Sequence, residues 1–144
     1  MLLMLMKRKL IPICALGVLL ICALIGAGCG GAAPDDSQLG RAFKDGTSNV
    51  QVEGEGVVTR ILADDLDGSR HQRFVVTLAS GQTVLIVHNI DLATRVAELQ
   101  TGDNVSFYGE YLWNEEGGKV HWTHHDPKGQ HVAGWLKHKG LTYQ

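Results

Sequence analysis

From Val50 to Val58 apolar and polar residues alternate. Val50, Val52 and Val58 share one parity with Gly54 and Gly56, while Gln51, Glu53 and Glu55 take the other. A period of two commits the segment to a β-strand with one buried face. Glycines on that strand mark where it must bend or bulge. A bent first strand is what a small closed barrel requires.

The rest of the domain follows the same period. Residues 64–69 supply a turn, and residues 73–78 form a strand with Phe74, Val76 and Leu78 on one face. Ser80-Gly81-Gln82 is a hairpin turn into an apolar strand at 83–88. In residues 91–99, Leu92, Val96 and Leu99 recur at helical spacing behind Asp91 as N-cap, which predicts a helix. Gly102-Asp103 ends it and opens an alternating strand at 104–113, carrying Val105, Phe107, Tyr111 and Trp113. Glu116-Gly117-Gly118 then turns the chain into a last strand at 119–124. Trp113 and Trp122 are expected to help fill the core, because a small domain needs large apolar side chains. Tyr108, opposite Phe107, is expected at the surface.

Three strands, a helix and two strands resemble the OB-fold, and Gly102-Asp103-x-Val105-x-Phe107-x-Gly109 resembles the fourth strand of such barrels. The expected class is all-β, a small five-stranded OB-like Greek-key barrel with one short helix between strands 3 and 4. Another small all-β barrel or sandwich is the alternative. Trp135 and Leu136 imply that the C-terminal run docks on the domain.

The N-terminal residues have a different character. Lys7-Arg8-Lys9 precedes an uncharged apolar run over 10–27, and Ile25-Gly26-Ala27-Gly28 stands before Cys29. Basic residues, an apolar segment and small residues before a cleavage point are the parts of a secretory signal peptide. With Cys29 they resemble a lipobox, although Gly26 stands where leucine is commoner. Cys14 and Cys22 leave with the signal, so Cys29 is the one cysteine of the mature chain and the expected lipidation site. The alternative is an uncleaved membrane anchor. The organisation expected is a lipoprotein signal at 1–28, a lipidated Cys29 with a flexible tether to 47, and the barrel at 48–144. Within the tether, residues 39–44 have the pattern of one or two helical turns. Gly30, rather than Asp, follows the lipidated residue, which favours the periplasmic face of the outer membrane.

Removing residues 1–28 takes three of the 13 basic residues and none of the 15 acidic ones. The remaining excess of acidic side chains argues against general nucleic-acid binding, which depends on Lys and Arg at phosphates.

A second resemblance covers nearly the whole domain. Gly68-Ser-Arg-His-Gln-Arg-Phe74, His88-Asn-Ile-Asp-Leu-Ala93, Gly109-Glu-Tyr111, Trp113-Asn114 and His121-Trp-Thr-His-His-Asp-Pro127 are similar to an uncharacterised bacterial family known as a domain of unknown function. The resemblance implies no activity, so the chemistry rests on the side chains.

Two constellations carry chemistry. Five of the seven histidines, His121, His124, His125, His131 and His138, fall within residues 120–138. Imidazole is a ligand for zinc or copper. On an extended strand His121 and His125 lie about 13 Å apart, too far for one ion. A metal site would therefore combine His124 or His125 with His131 across the turn at 127–129, with Asp126, His71 or His88 as further ligands. Structural or surface histidines are the plainer reading. The second constellation is Arg70, His71 and Arg73, which could hold an anion through guanidinium contacts or pair with Asp64, Asp65, Asp67 and Glu110. Asp65-x-Asp67-Gly68 lacks the other ligand positions of a calcium loop and is read as a turn.

Two functions are compatible with these residues. One is a lipid-anchored envelope binding module of OB type, taking an anionic or oligomeric ligand, or an envelope protein, with Arg70, His71, Arg73, Tyr108 and Glu110 at its face. The other is a metal-dependent, phosphodiesterase-like hydrolase, with His124 or His125 as base, Glu110 as acid and Arg73 as clamp. For the N-terminus, mass spectrometry of the mature chain is expected to find diacylglycerol on Cys29. Cys29→Ser should block processing; an unmodified Cys29 behind an intact residue 1 would establish the anchor instead.

Overall fold

The computed structural model describes residues 37–144. The signal, Cys29 and the tether up to residue 36 lie outside the described residues. Among the described residues no helix is long and apolar enough to cross a membrane.

The order is α1 (Ser37–Lys44), β1 (Val50–Ile61), β2 (His71–Leu78), β3 (Thr83–Asn89), β4 (Asn104–Leu112), β5 (Lys119–His121), β6 (Trp135–His138) and β7 (Leu141–Tyr143). The barrel closes because β1 has two partners. Residues 50–57 pair with β4, and from Gly56 onward β1 pairs with β2. Gly56 is opposite both Val105 and Leu78. A Cβ there would lie 2.8 Å from the Thr77 carbonyl oxygen, so glycine lets the backbones meet where the strand changes partner. A register shift between Val58 and Arg60 bends the strand further. The circuit is β1-β2-β3-β5-β4-β1, with β3 and β5 parallel and the other pairs antiparallel. This is the expected all-β OB-like barrel.

Period-two burial fills the interior. Val52, Val58, Phe74, Val76, Val84, Ile86, Val105, Phe107, Tyr111 and Val120 are buried. The Tyr111 hydroxyl donates to the Gly117 carbonyl, and burial raises its pKa. The C-terminal run docks as expected. Its β6 pairs with β4 over residues 105–108, with Leu136 buried, and β7 completes a hairpin.

Three expectations change. The helix predicted at 91–99 does not form. That segment is a series of turns because barrel side chains take the backbone groups that a helix would pair internally. The Gln72 carboxamide binds both the N–H and the C=O of Val96, and His88 Nε2–H donates to the Thr94 carbonyl. Asp91, expected as the cap, instead accepts from the backbone N–H and Nε of Arg70. The helix present is α1, inside the expected tether. Leu39 and Ala42 turn one apolar stripe to the barrel, and Leu39 is fully buried. Thr47 N–H to Ala42 and Gly46 N–H to Phe43, with Gly46 at φ 64°, end it in a Schellman motif. Third, neither Trp113 nor Trp122 is in the core. Trp113 is 43% exposed and donates its Nε1–H to the Phe43 carbonyl at the end of α1, while Trp122 is half-buried.

Leu39→Ala is expected to destabilise the domain by about 3 kcal/mol, read as a lower melting temperature. A loss below about 0.5 kcal/mol, the range of ordinary surface substitutions, would return α1 to the tether.

Candidate functional site

The outer face of the barrel is a grid set by strand register. His71 on β2 stands opposite Asn89 on β3, Arg73 opposite Val87, and Val75 opposite Leu85. Leu85 is opposite Lys119 on β5, and His121 is opposite Glu110 on β4. These positions are half-buried and alternate with fully buried neighbours. Arg73 and Val87 thus form one pair, His121, Glu110 and Gln51 of β1 form another row, and Val87 and His121 line the same depression.

At its open end this face meets a loop. Strand β5 stops at His121, not at His124 as expected, and residues 122–134 leave the sheet before β6 resumes alongside β4. Both ends of the excursion are pinched against β4. A Cβ on Gly134 would strike the carbonyl oxygens of Trp122 and Tyr108, and one on Gly109 would strike that of His121. Gly134 N–H donates to the His124 carbonyl at 2.9 Å. Close ends and internal packing make this an Ω-loop. Trp122, where the chain departs, has φ 52°, an uncommon conformation for a bulky residue.

Asp126 organises the interior of the loop. Its carboxylate accepts from the backbone N–H groups of Lys128 (2.9 Å), Gln130 (2.6 Å) and His131 (2.9 Å). These bonds, led by that from Lys128, hold its pKa below the ordinary value. The return brings His131 flat against Trp122, with ring centroids 3.7 Å apart and planes 16° from parallel. His131 Nδ1 then lies 3.9 Å from Glu110 Oε2, while His121 Nε2–H donates to Glu110 Oε1 at 3.2 Å. Burial lowers the His121 pKa, and Glu110 opposes that shift.

His88 is a different kind of histidine. It is fully buried, with Nδ1 2.9 Å from Thr123 Oγ1 and Nε2 3.1 Å from the Thr94 carbonyl. The carbonyl must accept, so Nε2 carries the proton and Nδ1 accepts from Thr123. Burial pushes its pKa down to about 4. The neutral ring ties the β3–β4 turns to the start of the Ω-loop.

Arg70 pairs with Asp91 at 2.7 Å, Arg73 Nε–H donates to the Ala63 carbonyl, and His71 lines a small pocket. Asp65 accepts from Asp67 N–H, the turn expected there. Tyr108 stacks on Trp135, whose ring also carries Lys137 Nζ 4.1 Å from its centroid. His124 is buried, donates Nδ1–H to the His125 carbonyl and approaches Trp122 at 5.3 Å; His125 is exposed. His124, His125 and His131 thus do not converge, and among the described residues no group of three or more His, Cys, Asp or Glu side chains is placed to hold a metal ion. His138 belongs to another cluster, with Asp103 at 2.8 Å.

Two depressions lie on the grid, and a third lies among the loops at its end. One of about 330 Å³ is lined by Arg60, Leu62, Val75 and Leu85 among others. A second of about 180 Å³ is lined by His71, Val87, Asn89, His121, Trp122 and His124. The third, about 390 Å³, is bordered by Asn89, Asp91, Leu92, Trp122, Asp126 and His131. Trp122 and Asn89 are shared by the last two. Residues 21–144 match the family described as "Protein of unknown function (DUF3465)". The chain belongs to that family. No curated protein matches it.

Two features of this DUF3465 barrel escape sequence reasoning. Trp122 reads as a core aromatic on a continuing strand, and only the end of alternation after His121 signals otherwise. Glu110 is a candidate in the sequence, but beside His124 or His125; its actual neighbours His121 and His131 come from residues 11 and 21 positions later.

The buried His88 sets an acid limit. The unfolded ring takes a proton near 6.5 and the folded one near 4. Between these values the unfolded state binds more protons, so the contribution of His88 is complete above 6.5 and is lost as pH falls toward 4. The expected loss is about 3 kcal/mol. Urea unfolding of His88→Gln should show a lower plateau at pH 8 and a flatter acid limb, whereas an unchanged limb would remove His88 as its source.

Proposed function

We propose that this protein is a lipid-anchored binding module of the bacterial cell envelope, held by Cys29 at the periplasmic face of the outer membrane. It receives an anionic or oligomeric ligand on the outer face of β2, β3 and β5. The observation that carries this reading is a series of three depressions, two on this face and the third among the loops at its end, with Trp122 lining the last two. An extended ligand lying along the strands would meet an apolar floor of Val75, Leu85 and Val87. Arg60, Arg73, Lys119 and the imidazoles of His71 and His121 supply positive or hydrogen-bonding groups beside it. Trp122 offers an aromatic surface at the end. Barrels of this architecture present the corresponding strands to oligomeric ligands, which is support by analogy of fold.

The test is chemical-shift mapping of the ¹⁵N-labelled protein against three probes: soluble peptidoglycan fragments, short oligoglucans and vesicles containing phosphatidylglycerol. Binding should perturb the amides of Val87, Asn89 and Trp122, and Trp122→Ala should weaken it at least about ten-fold. Perturbations confined to α1 and the first half of β1, or release of a cleaved product from a probe, would overturn the reading.

A further inference from the structure

Strand β3 runs on to Asn89, but its parallel ladder with β5 ends at Ile86 opposite Val120. Trp122, which would carry the ladder further, turns away with φ 52°. Along β3 the backbone groups alternate between two sides. Next to the strand, Ile90 N–H donates to the Arg70 carbonyl on the β2 side, while Leu85 N–H donates to the Gly118 carbonyl on the β5 side. Leu85, Val87 and Asn89 therefore all address the β5 side. The Asn89 carbonyl accepts from Ala93 N–H. That leaves the Val87 carbonyl and the Asn89 N–H, which face the course β5 abandons and, among the described residues, have no hydrogen-bond partner.

An unpaired donor and acceptor on half-buried residues of a strand are uncommon. The departure that exposes them is held in place, since Gly134 packs on the Trp122 carbonyl and donates its N–H to the His124 carbonyl. Beside the two groups lies the depression of about 180 Å³, lined by Val87, Asn89 and Trp122 with the imidazoles of His71, His121 and His124. No Lys or Arg lines it. The indole of Trp122 and the Glu110 carboxylate, bonded to His121, are surroundings that suit a cation.

In a parallel ladder one residue presents its N–H and its C=O to groups two residues apart on the neighbouring strand. The N–H and C=O of a single guest residue thus satisfy both Val87 and Asn89. An antiparallel guest would need a residue directly opposite Val87, where β5 still stands. A parallel guest cannot extend backward for the same reason, so the residue that pairs here is the first of its chain.

We propose that this edge of β3 binds the amino-terminal residue of an extended peptide, which prolongs β5: its ammonium group donates to the Val87 carbonyl and its carbonyl accepts from Asn89 N–H. The proposal rests on the reading of the β2–β3–β5 face as the ligand surface and names the ligand chemistry at its end. Both contacts are to main chain, so the site reads a free chain end and not a particular side chain.

The experiment is titration of the ¹⁵N,¹³C-labelled protein with Ala-Ala-Ala at millimolar concentration, in parallel with the same tripeptide acetylated at its amino terminus. The free peptide should shift the Asn89 amide and the Val87 carbonyl saturably and slow exchange of the Asn89 N–H with solvent. Acetylation removes the charge and adds bulk where β5 ends, and should weaken binding more than about ten-fold. Asn89→Pro deletes a donor that no ladder bond uses; it should abolish binding, and Asn89→Ala, which keeps the N–H, should lose less. The comparison of the two peptides needs no variant to fold. No saturable change at Asn89, equal binding of the acetylated peptide, or full binding by a folded Asn89→Pro protein would each overturn the proposal. A face that responds to an oligoglucan but not to the tripeptide would overturn it too, while leaving the ligand surface where it is.

Discussion

The exchange of partners along β1 is the constraint on which the rest of the molecule depends. One strand reaches both β4 and β2 only if it coils tightly, and it does so where Gly56 admits the Thr77 backbone. Closure removes the free edges that a five-stranded sheet would expose. It also fixes inside and outside along every strand. Once Val52, Phe74, Ile86, Phe107 and Val120 point inward, their neighbours His71, Arg73, Val87, Glu110 and His121 point outward in rows. The candidate site is the outer counterpart of the core, generated by the same alternation.

Loops are then held by barrel side chains rather than by their own secondary structure. Gln72 and His88 enter the β3–β4 turns and satisfy the backbone of Val96 and Thr94. Both are buried polar residues on otherwise apolar faces, which is tolerable only because every hydrogen-bonding group is paired. Asp126 does similar work from within the Ω-loop. Irregular backbone is thereby hydrogen-bonded in place, and both loops are joined through the His88–Thr123 contact.

The first four barrel strands and their buried faces are legible in the sequence because a period of two over six or more residues has one physical explanation, whereas β5 has only three residues and its end is not. The helix at 91–99 is misread for the opposite reason. Leu92, Val96 and Leu99 satisfy helical spacing, yet the decisive partners, Gln72 and His88, are more than a turn away in sequence and invisible to a local pattern. Residues 39–44 show the helical pattern and do form α1, but nothing local announces that Leu39 is fully buried. At the site, the sequence identifies the histidine-rich stretch and Glu110 as candidates without pairing them correctly. Which imidazole meets which carboxylate is decided by where β5 stops, and three residues of strand more or less reverse the answer. Arg70 is the converse case: the salt bridge weighed against the anion-binding reading is the contact that forms, although Asp91 rather than the nearer acids is its partner.

The pinch between β4 and the two ends of the Ω-loop also bears on how such a protein can diverge. Gly109 and Gly134 are required first by contacts with main-chain carbonyls, and the one loop side chain that also crowds them is that of Thr123, outside residues 125–133. The exit and re-entry points are therefore indifferent to what lies between them. Residues 125–133 can change in composition, and to a degree in length, while the barrel, its register and the C-terminal hairpin stay as they are. Such an architecture separates inheritance of the scaffold from inheritance of specificity, and relatives sharing every strand can present different chemistry at the same mouth.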